Sequence, residues 1–153
     1  MALGTFGAIM GFSAEMVQQT EAFYKTMVQK VKDPILSEAL QILLEEEGKN
    51  YSLMEKTRRE NVTEMILEPI AGLNQDDYEI EMKGMDQTKD VDLLKMALIL
   101  EGRERRFFSE VSDKVPLPEV ARIFRRVAER KERSLAKLKT LGLNQFLGVE
   151  SQT

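Results

Sequence analysis

The sequence predicts an all-α fold: an antiparallel four-helix bundle made of two repeated helical hairpins, with a long crossover between helices 2 and 3. Three observations predict it. Apolar residues recur at three- and four-residue spacing in four separate segments, proline marks two short joints between them, and the pattern of the first half returns in the second. Composition agrees, since Leu, Met, Glu, Lys and Arg are plentiful and only 4 prolines interrupt 153 residues. The length suits one domain with a sizeable core.

Helix 1 is expected over 5–31, with a stripe of Phe6, Met10, Ser13, Val17, Thr20, Tyr24, Met27 and Val31. The joint Lys32, Asp33, Pro34 leads into helix 2, over 35–60, striped by Leu36, Leu40, Leu43, Glu47, Asn50 and Met54. Helix 3, over 90–114, carries Leu94, Ala97, Glu101, Glu104, Phe108 and Val111. The joint Val115, Pro116, Leu117, Pro118 leads into helix 4, over 118–141, with Val120, Phe124, Val127, Lys131, Ser134, Leu138 and Leu141. Proline stops the preceding helix and suits the first turn of the next, and such short joints make the joined helices antiparallel neighbours. The crossover, 61–89, holds Pro69, Gly72 and Gly84, room for a short helix at 62–67, and an alternating stretch at 78–82. Its length allows it to run the full height of a bundle. The domain is therefore set at 1–141. The tail, 142–153, reads as disordered or packed against a partner chain, with a docking peptide anchored by Phe146 and Leu147 as the alternative.

A shift of 84 residues lays the second hairpin on the first. Phe23 and Tyr24 then meet Phe107 and Phe108, Lys30 and Val31 meet Lys114 and Val115, Pro34 meets Pro118, and Glu45 meets Glu129. No gap is needed over about fifty positions, and the apolar register holds throughout, as an ancestral duplication of one hairpin requires.

Composition excludes much chemistry. Without cysteine there is no disulfide, thiolate metal site or thiol catalysis, and without histidine the commonest acid–base group and transition-metal ligand is missing. No nucleophile–base pair or glycine-rich phosphate loop is present. The apolar N-terminal stretch has Lys25 as its first lysine and Glu15 inside it, so it reads as the start of a helix and not a signal peptide. No apolar run is long enough for a membrane span, so no membrane partner is expected and a cytoplasmic location is the default.

Net charge is −4 but unevenly spread. Residues 60–92 are acidic, whereas 121–140 carry Arg122, Arg125, Arg126, Arg130, Lys131, Arg133, Lys137 and Lys139 against Glu129 and Glu132. This basic helix lacks interleaved aromatics in a chain that is acidic as a whole, so nucleic acid is not expected. It reads as a solvated face that pairs with the acidic connection within the chain or across a homodimer, or as a surface for a protein partner. The nine methionines, among them Met10, Met16, Met27, Met54 and Met96, read as core filler.

All four stripes are interrupted at one level. Helix 1 presents Val17 and Thr20, helix 2 Glu47 and Asn50, helix 3 Glu101 and Glu104, and helix 4 Lys131 and Ser134. Three acids and one lysine therefore meet midway along the bundle, where desolvation requires that they be compensated. An ion pair of Lys131 with Glu47 and Glu101 supplies one part of that compensation. A glutamate kept protonated, or Arg103 or Arg105 bending inward, supplies the rest. Tyr24 and Phe108, near this level, read as plain core.

Over roughly residues 5–141 the sequence resembles the rubrerythrin branch of the ferritin-like family. The stretches EGRERRFF at 101–108, AFYKTMVQKVKDP at 22–34 and LLEEEGKN at 43–50 carry the resemblance. In that family each hairpin gives a core glutamate from its first helix and a Glu-x-x-His from its second, which together hold two iron ions. The resemblance matches Glu101 to a helix-3 ligand, Glu104 to an extra carboxylate one turn later, and Glu47 to the acid of the first Glu-x-x-His. Val17 stands in place of a glutamate, Asn50 of a histidine, Lys131 of an acid and Ser134 of a histidine. The cysteine-ligated tail common in that family is absent.

Three readings follow. The first is a degenerate ferritin-like protein without di-iron chemistry, a structural or interaction module in which a Glu/Lys layer replaces the metal and no cofactor is bound. The second is a rubrerythrin-type oxidoreductase holding iron or manganese at a noncanonical site of Glu47, Glu101 and Glu104, with Asn50. The third is a small-molecule binding module. The ligand count favours the first.

Overall fold

Three of the four long helices, α1, α2 and α4, begin where the sequence supplies a cap or a proline. The computed structural model of the chain describes residues 1–65 and 69–146, without the side chains of 62–65. It contains α1, Phe6–Lys30; α2, Pro34–Met65; a short 3-10 helix, Gln75–Tyr78; α3, Asp90–Lys114; and α4, Pro118–Gln145. The Thr5 hydroxyl accepts the Ala8 N–H at 3.0 Å and caps α1. Asp33 accepts the Leu36 N–H at 2.8 Å at the start of α2, where Pro34 fills the first helical position. Pro118 does the same for α4.

Two helices run further than the sequence suggests. α2 continues through 61–65, so the start of the short helix expected at 62–67 belongs to α2 itself, and 66–67 lie outside the described residues. No breaker occurs before Pro69, and a helix continues while its residues permit. α4 reaches Gln145 through Gly142, a single helical glycine whose cost is only about 1 kcal/mol. Leu147, one of the two tail anchors, also lies outside the described residues.

The helices pack mainly as two pairs, α1 with α2 and α3 with α4, each folded back through its short joint. A carboxylate ties the pairs together at one end: Asp90, at the start of α3, accepts the backbone N–H groups of Lys32 and Asp33 at 3.0 and 2.7 Å. The crossover then lies along the α1/α3 side. The Arg106 guanidinium donates to the Asp77 carbonyl at 2.6 Å, the Tyr78 hydroxyl donates to Glu110 at 2.7 Å, and Lys30 donates to Gln87 at 2.7 Å. The alternation at 78–82 survives as alternating burial, but no strand forms among the described residues because no neighbouring strand is there to complete a ladder. Residues 1–4 make the one extended pairing among the described residues, an antiparallel bridge of Ala2 with Asn74 that also joins Leu3 N–H to the Leu73 carbonyl at 2.9 Å. Nothing in the sequence marks that contact, which buries Leu3, Ile70 and Leu73.

The stripes face inward. Every residue of the four is buried except Val31, Ser134 and Leu141, which are half-buried near helix ends or at a groove. The core falls into two apolar clusters. One gathers Phe6, Met10, Val17, Met54, Phe107, Phe108, Val111, Phe124 and Val127; the other gathers Tyr24, Met27, Leu36, Leu40, Leu43, Leu94, Leu100 and Leu138. Among the described residues no helix is long and apolar enough to cross a membrane.

Candidate functional site

A polar cluster separates the two apolar halves. Lys131 of α4 is 2% exposed, and Glu47 of α2 and Glu101 and Glu104 of α3 are 0% exposed. The Lys131 ammonium donates to Glu47 and, at 2.9 Å, to Glu101 Oε2, and lies 3.5 Å from Glu104 Oε1. Glu47 and Lys131 are 84 residues apart, the same shift at which the sequence pattern of the first half meets that of the second.

The acids are not equally satisfied. Glu101 Oε2 also accepts the Tyr24 hydroxyl at 2.7 Å. Both oxygens of Glu104, Glu47 Oε2 and Glu101 Oε1 have no hydrogen-bond partner among the described residues. A distance of 3.5 Å gives Glu104 the Coulomb attraction of the ammonium without a good hydrogen bond. Arg103 is the inward-turning arginine, at 7% exposure, whereas Arg105 is only half-buried. The Arg103 guanidinium donates to Gln19 at 2.9 Å and Thr20 at 3.1 Å, holding α3 against α1.

Burial sets the protonation chemistry. It pushes the Glu47 carboxyl well above the usual carboxylate range; Glu104 and Glu101 push the same way, and Lys131 opposes them. Glu101 is also raised by burial, against the pull of Lys131. Burial pushes Lys131 down, but Glu104, Glu101 and Glu47 together outweigh it and hold the amine well above an ordinary lysine. Tyr24 is raised by burial and by the carboxylates facing it, so it remains a donor. Arg103 is lowered by burial, with Glu104 and Glu47 opposing, yet an arginine stays charged across the physiological range. Three carboxyls facing two cations leave one negative charge, and the raised carboxyls are where a proton removes it.

The remaining layer positions are less connected. Val17 is fully buried in the first apolar cluster, and Thr20 joins the layer through Arg103. Asn50 is buried, with no hydrogen bond to the acids or to Lys131 among the described residues. Ser134 is half-buried on a groove between α2 and α4, beside Glu46 and Lys137, and not within the cluster. Tyr24 corrects its reading as plain core, since its hydroxyl is a ligand of Glu101. A signal existed: on a stripe of apolar residues Tyr24 carries a hydroxyl, and a buried hydroxyl needs a partner. Gln19 had no such signal, because only the folded α1/α3 contact brings it to Arg103.

The donor set does not fit a two-metal group. Such a centre in this kind of bundle draws on four carboxylates and two imidazoles. Here the convergent donors are three carboxylates, and the point at which they converge holds an ammonium, which repels a divalent cation in a dry interior. Among the described residues no three carboxylate, imidazole or thiolate side chains are arranged to hold a metal ion. No protein-family model, curated protein or solved structure matches the chain.

Proposed function

We propose that this chain is a degenerate rubrerythrin-like member of the ferritin-like proteins. In this reading it has lost di-iron chemistry and works as a structural or interaction module. The observation that carries the reading is the Lys131 ammonium among Glu47, Glu101 and Glu104. A lysine side chain delivers one positive charge to the place where the resemblance expects metal, and its donors take over part of the carboxylate coordination. The duplicated hairpin fits the same ancestry, because Lys131 and Glu47 are then descendants of one ancestral position that diverged to opposite charge. The protein acts in this reading through its surfaces and not through a reaction centre.

The test is elemental analysis of the full chain purified from cells grown with added iron and manganese. The expected result is metal far below one ion per chain, with helical content and unfolding midpoint unchanged after chelation. Iron or manganese near one or two ions per chain, lost on chelation together with stability, overturns the reading. That outcome would favour the oxidoreductase alternative, for which the specific observation is the unpartnered oxygens of Glu101 and Glu104.

A further inference from the structure

The bundle has two long grooves between its helix pairs, and they are treated differently. The α1/α3 groove lies under the crossover: Gln75, Tyr78, Ile80, Met82, Met85 and Gln87 line its cavities opposite Gln19, Phe23 and Met96. The α2/α4 groove is lined by the helices alone among the described residues, a cleft of about 110 Å³ bounded by Ala39, Ile42, Leu43, Leu138 and Leu141. Ile35 and Ile42 stand on its α2 shoulder, 53% and 51% exposed. These two share a helical face with Ala39 and Glu46, so the exposed apolar residues continue the groove wall.

The shoulders carry opposite charge. Glu38, Glu45 and Glu46 outnumber Lys49, which pairs with Glu45 at 3.6 Å, on α2, and Arg130, Arg133 and Lys137 lie on α4, with Glu46 and Lys137 themselves lining the groove. Among the described residues none of the three α4 cations makes an ion pair; the one lysine of α4 that does is the buried Lys131. Among the described residues no ion pair joins the basic helix to the acidic crossover. Levels match across the groove as well, since residues 39–46 of α2 run beside 134–141 of α4.

We propose that the α2/α4 face is the interface of a two-fold homodimer. A two-fold axis along the groove lays α2 of each copy over α4 of the other and keeps every residue at its own level. Ile35 and Ile42 then cover the partner copy's open groove, and the acids of one copy meet the arginines and lysine of the other. A patch with an apolar centre, net negative on one side and net positive on the other, is self-complementary under that rotation, which is what an isologous interface requires. The other in-plane axis would set acid against acid and base against base. The inference deepens the interaction-module reading by naming the partner as a second copy. The two fail separately: a metal-loaded dimer removes the module reading alone, and a metal-free monomer removes the dimer alone.

Sedimentation equilibrium of the full chain tests it. The expected result is a mass of two chains, with dissociation promoted by salt. Glu46→Lys and Lys137→Glu should each weaken association about tenfold or more, and the double reversal should recover most of the loss. Ile42→Asp should give a monomer whose circular dichroism matches the wild type. Zero-length crosslinking of a mixture of isotopically heavy and light chains should join Glu46 to Lys137 in heavy–light pairs. A monomer at all concentrations overturns the proposal, as does a dimer indifferent to all three substitutions. Crosslinks from Lys137 confined to residues 147–153 of the same chain overturn it too, because the chain's own tail would then fill the groove.

Discussion

Lys131 is the residue on which the interior depends, and its removal separates a buried cation from a surface one. Lys131→Met leaves three fully buried carboxyls with only Arg103 nearby, and loss of one partner from such a cluster costs about 3–5 kcal/mol. The loss should be largest near neutral pH and smaller in acid, where Glu47 and Glu101 take up protons. Urea unfolding of both proteins measures it, and a change no greater than that of an exposed lysine would contradict the burial seen here. The pH dependence has a definite sign. The folded-state pKa of Glu47 is raised above its ordinary 4.5, so the folded chain holds a proton that the unfolded chain releases. Stability from this group is complete below pH 4.5 and is lost as pH rises through the raised value. Lys131, raised above 10.5, adds a second window in which stability falls only as alkali removes its proton. Glu47→Gln should thus be least favourable, relative to wild type, at the acid end and improve toward neutrality. A difference that moved the other way would mean that Glu47 is an ordinary ionised partner. Residue by residue, the sequence showed which positions interrupt the stripes, because a periodic apolar pattern exposes its exceptions. It did not show what those side chains bond. The contact of Tyr24 with Glu101 and the turn of Arg103 toward Gln19 and Thr20 join α1 to α3, and spacing along one helix carries no record of its neighbour's side chains.

The helices themselves were legible because their punctuation is local. Thr5, Asp33, Pro34 and Pro118 act within a turn of where they stand, and α1, α2 and α4 start at or next to them. Helix ends were less so: α2 and α4 continue past the last stripe residue because nothing stops them. The joint between α1 and α2 shows how one element end can hold two pairs of helices. Asp33 caps α2 while its own N–H, with that of Lys32, is taken by Asp90. Asp33→Ala removes an ordinary N-cap and should cost about 1 kcal/mol. Asp90→Ala orphans two backbone donors in a joint that is partly buried, and hydrogen bonds to a charged group are worth about 1.5–3 kcal/mol. The expectation is that Asp90→Ala is the more damaging of the two, although its residue lies outside the hairpin that it holds. Thermal unfolding of the pair decides this, and equal losses would mean that the α3 end does not brace the joint. The crossover is an element of another kind. Its route along α1 and α3 rests on single contacts from Lys30, Arg106 and Glu110, which no periodicity announces.

At the scale of the whole molecule, the polar layer divides one hydrophobic core into two, with Phe6, Phe107, Phe108 and Phe124 on one side and Leu36, Leu40, Leu94 and Leu138 on the other. Such a layer is a poor source of stability. Desolvating three carboxyls and an amine costs several kcal/mol per charge, and mutual attraction returns little more than that. What the layer does supply is register. An apolar bundle can slide by a turn and keep its leucines covered, whereas a slid bundle would leave Lys131, Glu47 and Glu101 buried apart. Replacing the cluster as a unit tests this division of labour: Tyr24→Phe, Glu47→Leu, Glu101→Leu, Arg103→Met, Glu104→Leu and Lys131→Met together remove every buried charge of the layer and the hydroxyl that donates to Glu101. This variant should be as stable as the wild type or more so, by up to about 1–4 kcal/mol, while Lys131→Met alone is severely destabilised. The opposite order, with the combined variant weaker than the single one, would show that the ion pairs hold the halves together directly. A well-folded combined variant should also lose sharpness, with broader amide resonances and faster hydrogen exchange at Val17, Met54 and Leu43, which flank the layer. Stability gained while exchange protection is lost would mean that the charges keep the helices in one alignment and contribute little to folding them.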